Sequence, residues 1–97
     1  MGIRAVVLAP HDNIGIALAD LDAGFELDLN CGEHSFQVTL AEPIPYQHKF
    51  SVTAIGLGEE IIKDDVFIGV ATDEIQAGRH VHVHNMTGRR SKPSDKA

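Results

Sequence analysis

Tryptophan is absent from this 97-residue chain, and its aromatic complement is four Phe and one Tyr. Val, Ile, Leu and Ala must therefore fill the interior. One domain of this length has a radius of gyration of about 13 Å and buries somewhat above 60% of its unfolded surface, so the core is small. Cysteine is nearly absent too. Cys31 alone cannot close an internal disulfide, which excludes a disulfide-stapled secreted scaffold and makes a reducing cytoplasm the expected location. It stands in Asn30-Cys31-Gly32-Glu33, a turn signature, with no base beside it in sequence to make it a nucleophile. Long apolar runs are also missing. Arg4 is followed only by Ala5-Val6-Val7-Leu8-Ala9, too short for a signal-peptide core or a membrane span. Val6 occupies the place where a myristoylation signal after Gly2 needs Ser or Thr, so no membrane association is expected.

Fixed positive charge is scarce in the body of the chain. From Arg89 onward, Arg89, Arg90, Lys92 and Lys96 face Asp95 alone, a net +3, so the preceding residues carry −9 of the overall −6. Their only fixed cations are Arg4, Lys49, Lys63 and Arg79. An acidic body argues against nucleic acid as a partner and singles out these few cations should the ligand be a small anion.

What stands out against this spare background is His80-Val81-His82-Val83-His84-Asn85. Read as a strand, the alternation places His80, His82 and His84 on one face and Val81 and Val83 in the core. Three imidazoles in a row can bind protons, a carboxylate or a metal ion. A solvated polar strand face gives the same pattern, and no CxxC or HExxH accompanies it, so spacing alone leaves both readings open.

The remainder reads as short strands with Gly and Pro punctuation. Residues 3–8 form an apolar run ended by Pro10. Asp12 or Asn13 caps a short helix, or else Ile14, Ile16 and Leu18 alternate as a strand. Phe25, Leu27 and Leu29, then Phe36, Val38 and Leu40, alternate with polar residues and predict a hairpin in which His34 lies exposed. Pro43 and Pro45 mark an extended connection, and Phe50 to Ile55 a further strand. Ile61-Ile62-Lys63 and Val66 to Val70 flank Asp64-Asp65 as a tight hairpin. No internal repeat is visible. The expected organisation is one mainly β domain over residues 1–86 and a basic tail without fixed structure over 87–97.

Six blocks carry a resemblance to a known family. In order they are Asp12-Asn13-Ile14-Gly15-Ile16-Ala17-Leu18, Ile44-Pro45-Tyr46-Gln47-His48-Lys49-Phe50, Ile61-Ile62-Lys63, Ile68-Gly69-Val70-Ala71-Thr72, Ile75-Gln76-Ala77-Gly78 and the histidine block itself. Over residues 3–86 the chain resembles the small SAF-type domain of the altronate/galactarate dehydratase family. The resemblance implies a compact, barrel-like β-clip fold and a part in eliminating water from hydroxylated sugar acids to give 2-keto-3-deoxy acids. It also implies a divalent metal, Fe²⁺ or Mn²⁺, and a separately encoded large subunit that can share in holding it and without which this chain is expected to be inactive. A sulfolactate sulfo-lyase small subunit, losing sulfite instead of water, and a non-catalytic SAF-like binding module are the alternatives. The chain departs from the family pattern where Gln47 replaces a common Gly before His-Lys, and where Asp64-Asp65 replaces a common Tyr-Gly. Some members also carry a histidine three residues before the Asp-Asn pair, where Ala9 stands here with His11 nearby.

Elimination next to a carboxylate needs a base for the α proton, help for the leaving group and cations for the acid. The expected catalytic residues are His84, His82 and His48. Lys49, Lys63, Asp12 and Asn13 are expected to bind substrate, and His80, His82 and His84 to hold the metal. Asp12-Asn13 also reads as a structural cap, Lys63 as a solvated strand end, and Asn85 as a residue that fixes a turn or a histidine tautomer.

Overall fold

A computed structural model describes residues 3–88, and all their regular structure is β. The strands are β1 (Ala5–Val6), β2 (Ile14–Ala17), β3 (Glu26–Cys31), β4 (His34–Thr39), β5 (Lys49–Ser51), β6 (Glu60–Lys63), β7 (Val66–Ala71), β8 (His80–Val81) and β9 (Met86–Gly88). They form a four-stranded sheet in the order β1-β2-β5-β8, a β3-β4 pair and a three-stranded sheet β6-β7-β9, as the mainly β expectation required. Among the described residues no helix is long and apolar enough to cross a membrane.

Both predicted hairpins are present. In β3, Leu27 and Leu29 are buried between exposed Glu26, Asp28 and Asn30, and all six residues pair with β4. Cys31, at its end, packs against the first of two apolar clusters. Between β6 and β7 the turn is Asp64-Asp65, with φ of 54° and 63°. Two consecutive left-handed residues define the type I′ turn, whose twist matches that of the strands it joins. Aspartate tolerates this region better than most residues, which explains how the chain dispenses with glycine there.

Other expectations are narrowed or corrected. Of the two readings left open at Ile14–Ala17 the strand is the one observed, and it lies inside the sheet between β1 and β5. The strand expected from Phe50 to Ile55 stops at Ser51, and Ile55 instead makes an isolated bridge to Ile75. Thr87 and Gly88 pair with β7, so they belong to the sheet and not to a tail. The rest of that tail, from Arg89, lies outside the described residues.

A local motif does recur, contrary to the sequence reading. Leu21 bridges Ile44, and Ile55 bridges Ile75. Three residues after each stands a left-handed residue: Gly24 (φ 87°), Gln47 (70°), Gly58 (84°) and Gly78 (87°). Each donates its N–H to a residue four places before the partner's bridge: Gly24 to Leu40, Gln47 to Ala17, Gly58 to Ala71 and Gly78 to Ser51. The return bonds run from Leu40 to Phe25, Ala17 to His48, Ala71 to Glu59 and Ser51 to Arg79. The fold is thus two clasps of matching design, each with its own approximate two-fold arrangement. Each clasp contributes to its own apolar cluster, one containing Leu21, Ile44 and Phe50, the other Ile55, Ile75 and Val81. The signature is only an apolar residue followed three later by a left-handed one, too sparse to read as a repeat. Gln47 is the one copy without glycine, and it immediately precedes His48.

Candidate metal and acid–base site

The two clasps set β5 and β8 side by side. Lys49 pairs with Val81 and Phe50 with His80, antiparallel. His48 enters from the Gln47 turn, whose backbone is held by bonds from Gln47 N to Ala17 O and from His48 N to Pro45 O. His80 enters from the turn fixed by Ser51, fully buried. The Ser51 hydroxyl donates to Gln76 O at 2.6 Å and accepts from Arg79 N at 3.1 Å. The two imidazoles then meet, Nδ1 of His48 lying 2.8 Å from Nε2 of His80.

The histidine block is not the strand its alternation suggested. β8 ends at Val81, and Val83, expected in the core, is 81% exposed. The reason is Asn85, which is buried. Its Oδ1 accepts from His82 N at 2.9 Å, and its Nδ2 donates to His80 O at 2.8 Å. Backbone bonds from Asn85 N and Met86 N to His82 O complete the reversal and send the chain into β9. Curling brings the rings closer than a strand would, where alternate residues are about 6–7 Å apart. His82 lies 5.0 Å from His48 and 5.3 Å from His80, centroid to centroid, and His84 lies 5.7 Å from His80. The turn-fixing role expected of Asn85 is what the geometry shows. Replacing Asn85 with Ala strands the His82 N–H and the His80 carbonyl, and is expected to cost about 1–3 kcal/mol in a urea unfolding titration. Asn85→Asp should cost at least as much, because an oxygen would then face the His80 carbonyl. A negligible change in both would show that the turn stands without this side chain.

One nitrogen from each of His48, His80 and His82 falls within 4.8 Å of the other two. His48 and His80 are half-buried and His82 is exposed. Burial, followed by the neighbouring imidazoles of His82, His48 and His84, lowers the pKa of His80, with Glu42 opposing weakly. His82 is also lowered, first by desolvation, then by His48, Lys49 and His84. Both therefore favour the neutral form, which is the form that accepts a proton or ligates a metal.

The other expected residues divide. Lys49 sits beside the cluster and lines an open hollow of about 380 Å³ with Ile68, His82, Val83 and Met86. His84 and Asn85 line a larger groove, about 770 Å³, on which Glu42, Asp73, Glu74 and Arg79 also open. Lys63 ends β6 opposite Val66, at the β6–β7 hairpin. Asp12 and Asn13 serve that same hairpin. The buried Asp12 carboxylate accepts from Ala9 N, Asp64 N and Asp65 N at 3.1, 2.7 and 2.9 Å. Asn13 accepts from Ile62 N and donates to Glu60 O, patching the ladder where β6 bulges. The structural reading of this pair accounts for these bonds.

Glu42 and Arg79 were not singled out as site residues from sequence. Glu42 Oε2 accepts from His80 N at 3.0 Å and lies 3.7 Å from the Arg79 guanidinium. Only the scarcity of fixed cations drew attention to Arg79, and nothing in the sequence pointed to Glu42.

An all-strand domain of paired clasps that carries a histidine cluster at the β5–β8 junction describes a specific class. The chain belongs to the altronate/galactarate dehydratase SAF-domain family, whose profile matches residues 3–89. It is 42% identical to the altronate dehydratase of Escherichia coli over 74 residues, which are 76% of this chain and 14% of that protein. A Bacillus subtilis altronate dehydratase is 33% identical, again over 14% of its length. The alpha subunit of (2R)-sulfolactate sulfo-lyase from Chromohalobacter salexigens is 31% identical over 93% of this chain and 99% of its own length. The chain therefore spans about one seventh of the altronate dehydratases it matches, and nearly the whole of the sulfo-lyase subunit.

Proposed function

We propose that this chain is the small SAF-type component of a two-chain, cytoplasmic hydro-lyase that eliminates water from a sugar acid of the altronate/galactarate type, giving a 2-keto-3-deoxy acid. The observation that carries the reading is the cluster of four imidazoles beside Lys49, within a chain whose family relatives are dehydratases. Lys49 offers its ammonium to the substrate carboxylate. Of the two openings at the cluster, its hollow suits an anion better than the carboxylate-lined groove beside His84. A neutral imidazole accepts the proton α to the carboxylate and can return it to the departing hydroxyl.

His82 lines the same hollow as Lys49 and serves that proton transfer when it is not holding an ion, whereas His84, outside the close trio, opens on the neighbouring groove. His48 serves the transfer only on the same condition. Imidazole donors suit Fe²⁺ better than Mn²⁺, which prefers oxygen ligands, so of the two expected ions the donor set fits iron. Such an ion, when bound, supplies Lewis acidity at the leaving oxygen. The openness of both concavities supports a requirement for a large subunit, because elimination needs a water-excluded site.

The 31% identity to a sulfo-lyase alpha subunit along 99% of that subunit favours a second reading, in which sulfite leaves in place of water. The test is to isolate the tagged chain from its own cells and offer what comes with it altronate, galactarate and sulfolactate. Keto-acid formation without sulfite, by a complex with one large protein, is expected, while the isolated chain shows no turnover. Sulfite release would establish the second reading. Recovery of the chain alone, inert towards all three acids, would overturn both and leave a binding module. Turnover by the chain alone would refute the two-chain proposal.

A further inference from the structure

We propose that this chain carries a metal site of its own, formed by His48, His80 and His82, with His84 outside the ligand set. The inference deepens the lyase reading by locating an ion on this chain, and it differs from the His80–His82–His84 row expected from sequence. The three ligands come from two places in the chain, the Gln47 turn before β5 and the start of β8 with its reversal.

Geometry is the first support. The three candidate nitrogens are all within 4.8 Å of one another, and two are already 2.8 Å apart. Bonds of about 2.0–2.1 Å to a common ion place neighbouring nitrogens about 3.0–3.4 Å apart. The gap to close is therefore under about 2 Å. The His48–His80 contact needs one ring to carry a proton on the facing nitrogen. Moving that proton to the same ring's other nitrogen frees both facing lone pairs for a shared ion.

The support around the ligands is the second argument. Ligands carried on a fixed backbone lose less freedom when they bind an ion. Here Ser51 anchors the turn before His80, Glu42 accepts from the His80 N–H, and Asn85 binds both the His80 carbonyl and the His82 N–H. Exposure of His82 leaves the trio open on one side, where water, a hydroxy acid or a partner's side chain can complete a shell. Three neutral imidazoles select borderline ions such as Fe²⁺, Co²⁺, Ni²⁺ and Zn²⁺ over Mg²⁺ and Ca²⁺.

The experiment is calorimetric titration of Co²⁺, Zn²⁺ and Mg²⁺ into the full, untagged, metal-free 97-residue chain, without substrate or partner. The imidazole proton resonances are followed in parallel with paramagnetic Co²⁺. One equivalent of Co²⁺ or Zn²⁺ is expected to bind, with no saturable binding of Mg²⁺. The His48, His80 and His82 signals should be perturbed most. His48→Ala and His82→Ala should each weaken binding by about 100-fold or more, whereas His84→Ala, His11→Ala and His34→Ala should change it less than about 3-fold. His82 is exposed, so His82→Ala tests the site without threatening the fold, and circular dichroism checks each variant.

Absence of saturable binding would overturn the site, as would equal sensitivity to all six histidines. Loss on His84→Ala with retention on His48→Ala would overturn the proposed ligand set in favour of the linear row. Because no turnover is measured, failure here leaves the lyase reading standing on its own assay, and failure of that assay leaves the metal site untouched.

Discussion

Replacing Asp12 with alanine is expected to destabilise the protein by about 3 kcal/mol or more, since hydrogen bonds to a charged acceptor are worth about 1.5–3 kcal/mol each. Three backbone donors converge on this one carboxylate, from Ala9, Asp64 and Asp65. Two of them belong to the type I′ turn, so the side chain ties the tip of the β6–β7 hairpin to the segment between β1 and β2. Small domains have only about 5–15 kcal/mol in total, so the variant should lose a large share of its stability. Asp12→Asn keeps one acceptor oxygen and should fall between wild type and alanine. Urea unfolding monitored by circular dichroism measures both. A loss below about 1 kcal/mol for Asp12→Ala would mean that the carboxylate does not hold the hairpin, and would reopen its reading as a substrate ligand.

Gly78→Ala should be at least as damaging, and Gly24→Ala provides an internal comparison. Both glycines have φ of 87°, so both substitutions incur the same left-handed penalty, about 1–2 kcal/mol. They differ in surroundings. A Cβ on Gly24 meets nothing within 4 Å, whereas one on Gly78 would lie 2.2 Å from the Thr39 carbonyl oxygen. That oxygen is backbone, and the neighbouring Ala41 N–H is itself bonded to Gly78 O, so the clash cannot be relieved by a side-chain rotation. The expected cost for Gly78→Ala is therefore above about 3 kcal/mol, against about 1–2 kcal/mol for Gly24→Ala. Because Gly78 leads directly into Arg79 and His80, the damaged variant should also lose the arrangement of the imidazoles. Equal denaturation midpoints for the two variants would show that the second clasp is looser than its backbone contacts indicate.

These two residues mark where reading along the chain runs out. Asp12 looked like a cap or a ligand because its neighbours in sequence, Pro10 to Asn13, announce only a turn. Its actual partners at Asp64 and Asp65 are more than fifty residues away. Gly78 lies in a turn, and its intolerance of a side chain comes from Thr39, in β4.

What the sequence by itself determined is whatever depends on neighbours in the chain: the period-two burial of β3, the two hairpins, the Asp64-Asp65 turn and the ordered blocks that mark the family. The histidine block shows the limit of that logic. Alternation places His80, His82 and His84 on one face only if the backbone stays extended, and the buried Asn85 side chain bends it after Val81. His48 joins the cluster from thirty-two residues earlier because two clasps set β5 against β8. Only the tertiary structure decided which imidazoles meet, because side chains that meet across strands are chosen by register and turn geometry, and neither is encoded in the spacing of the histidines themselves.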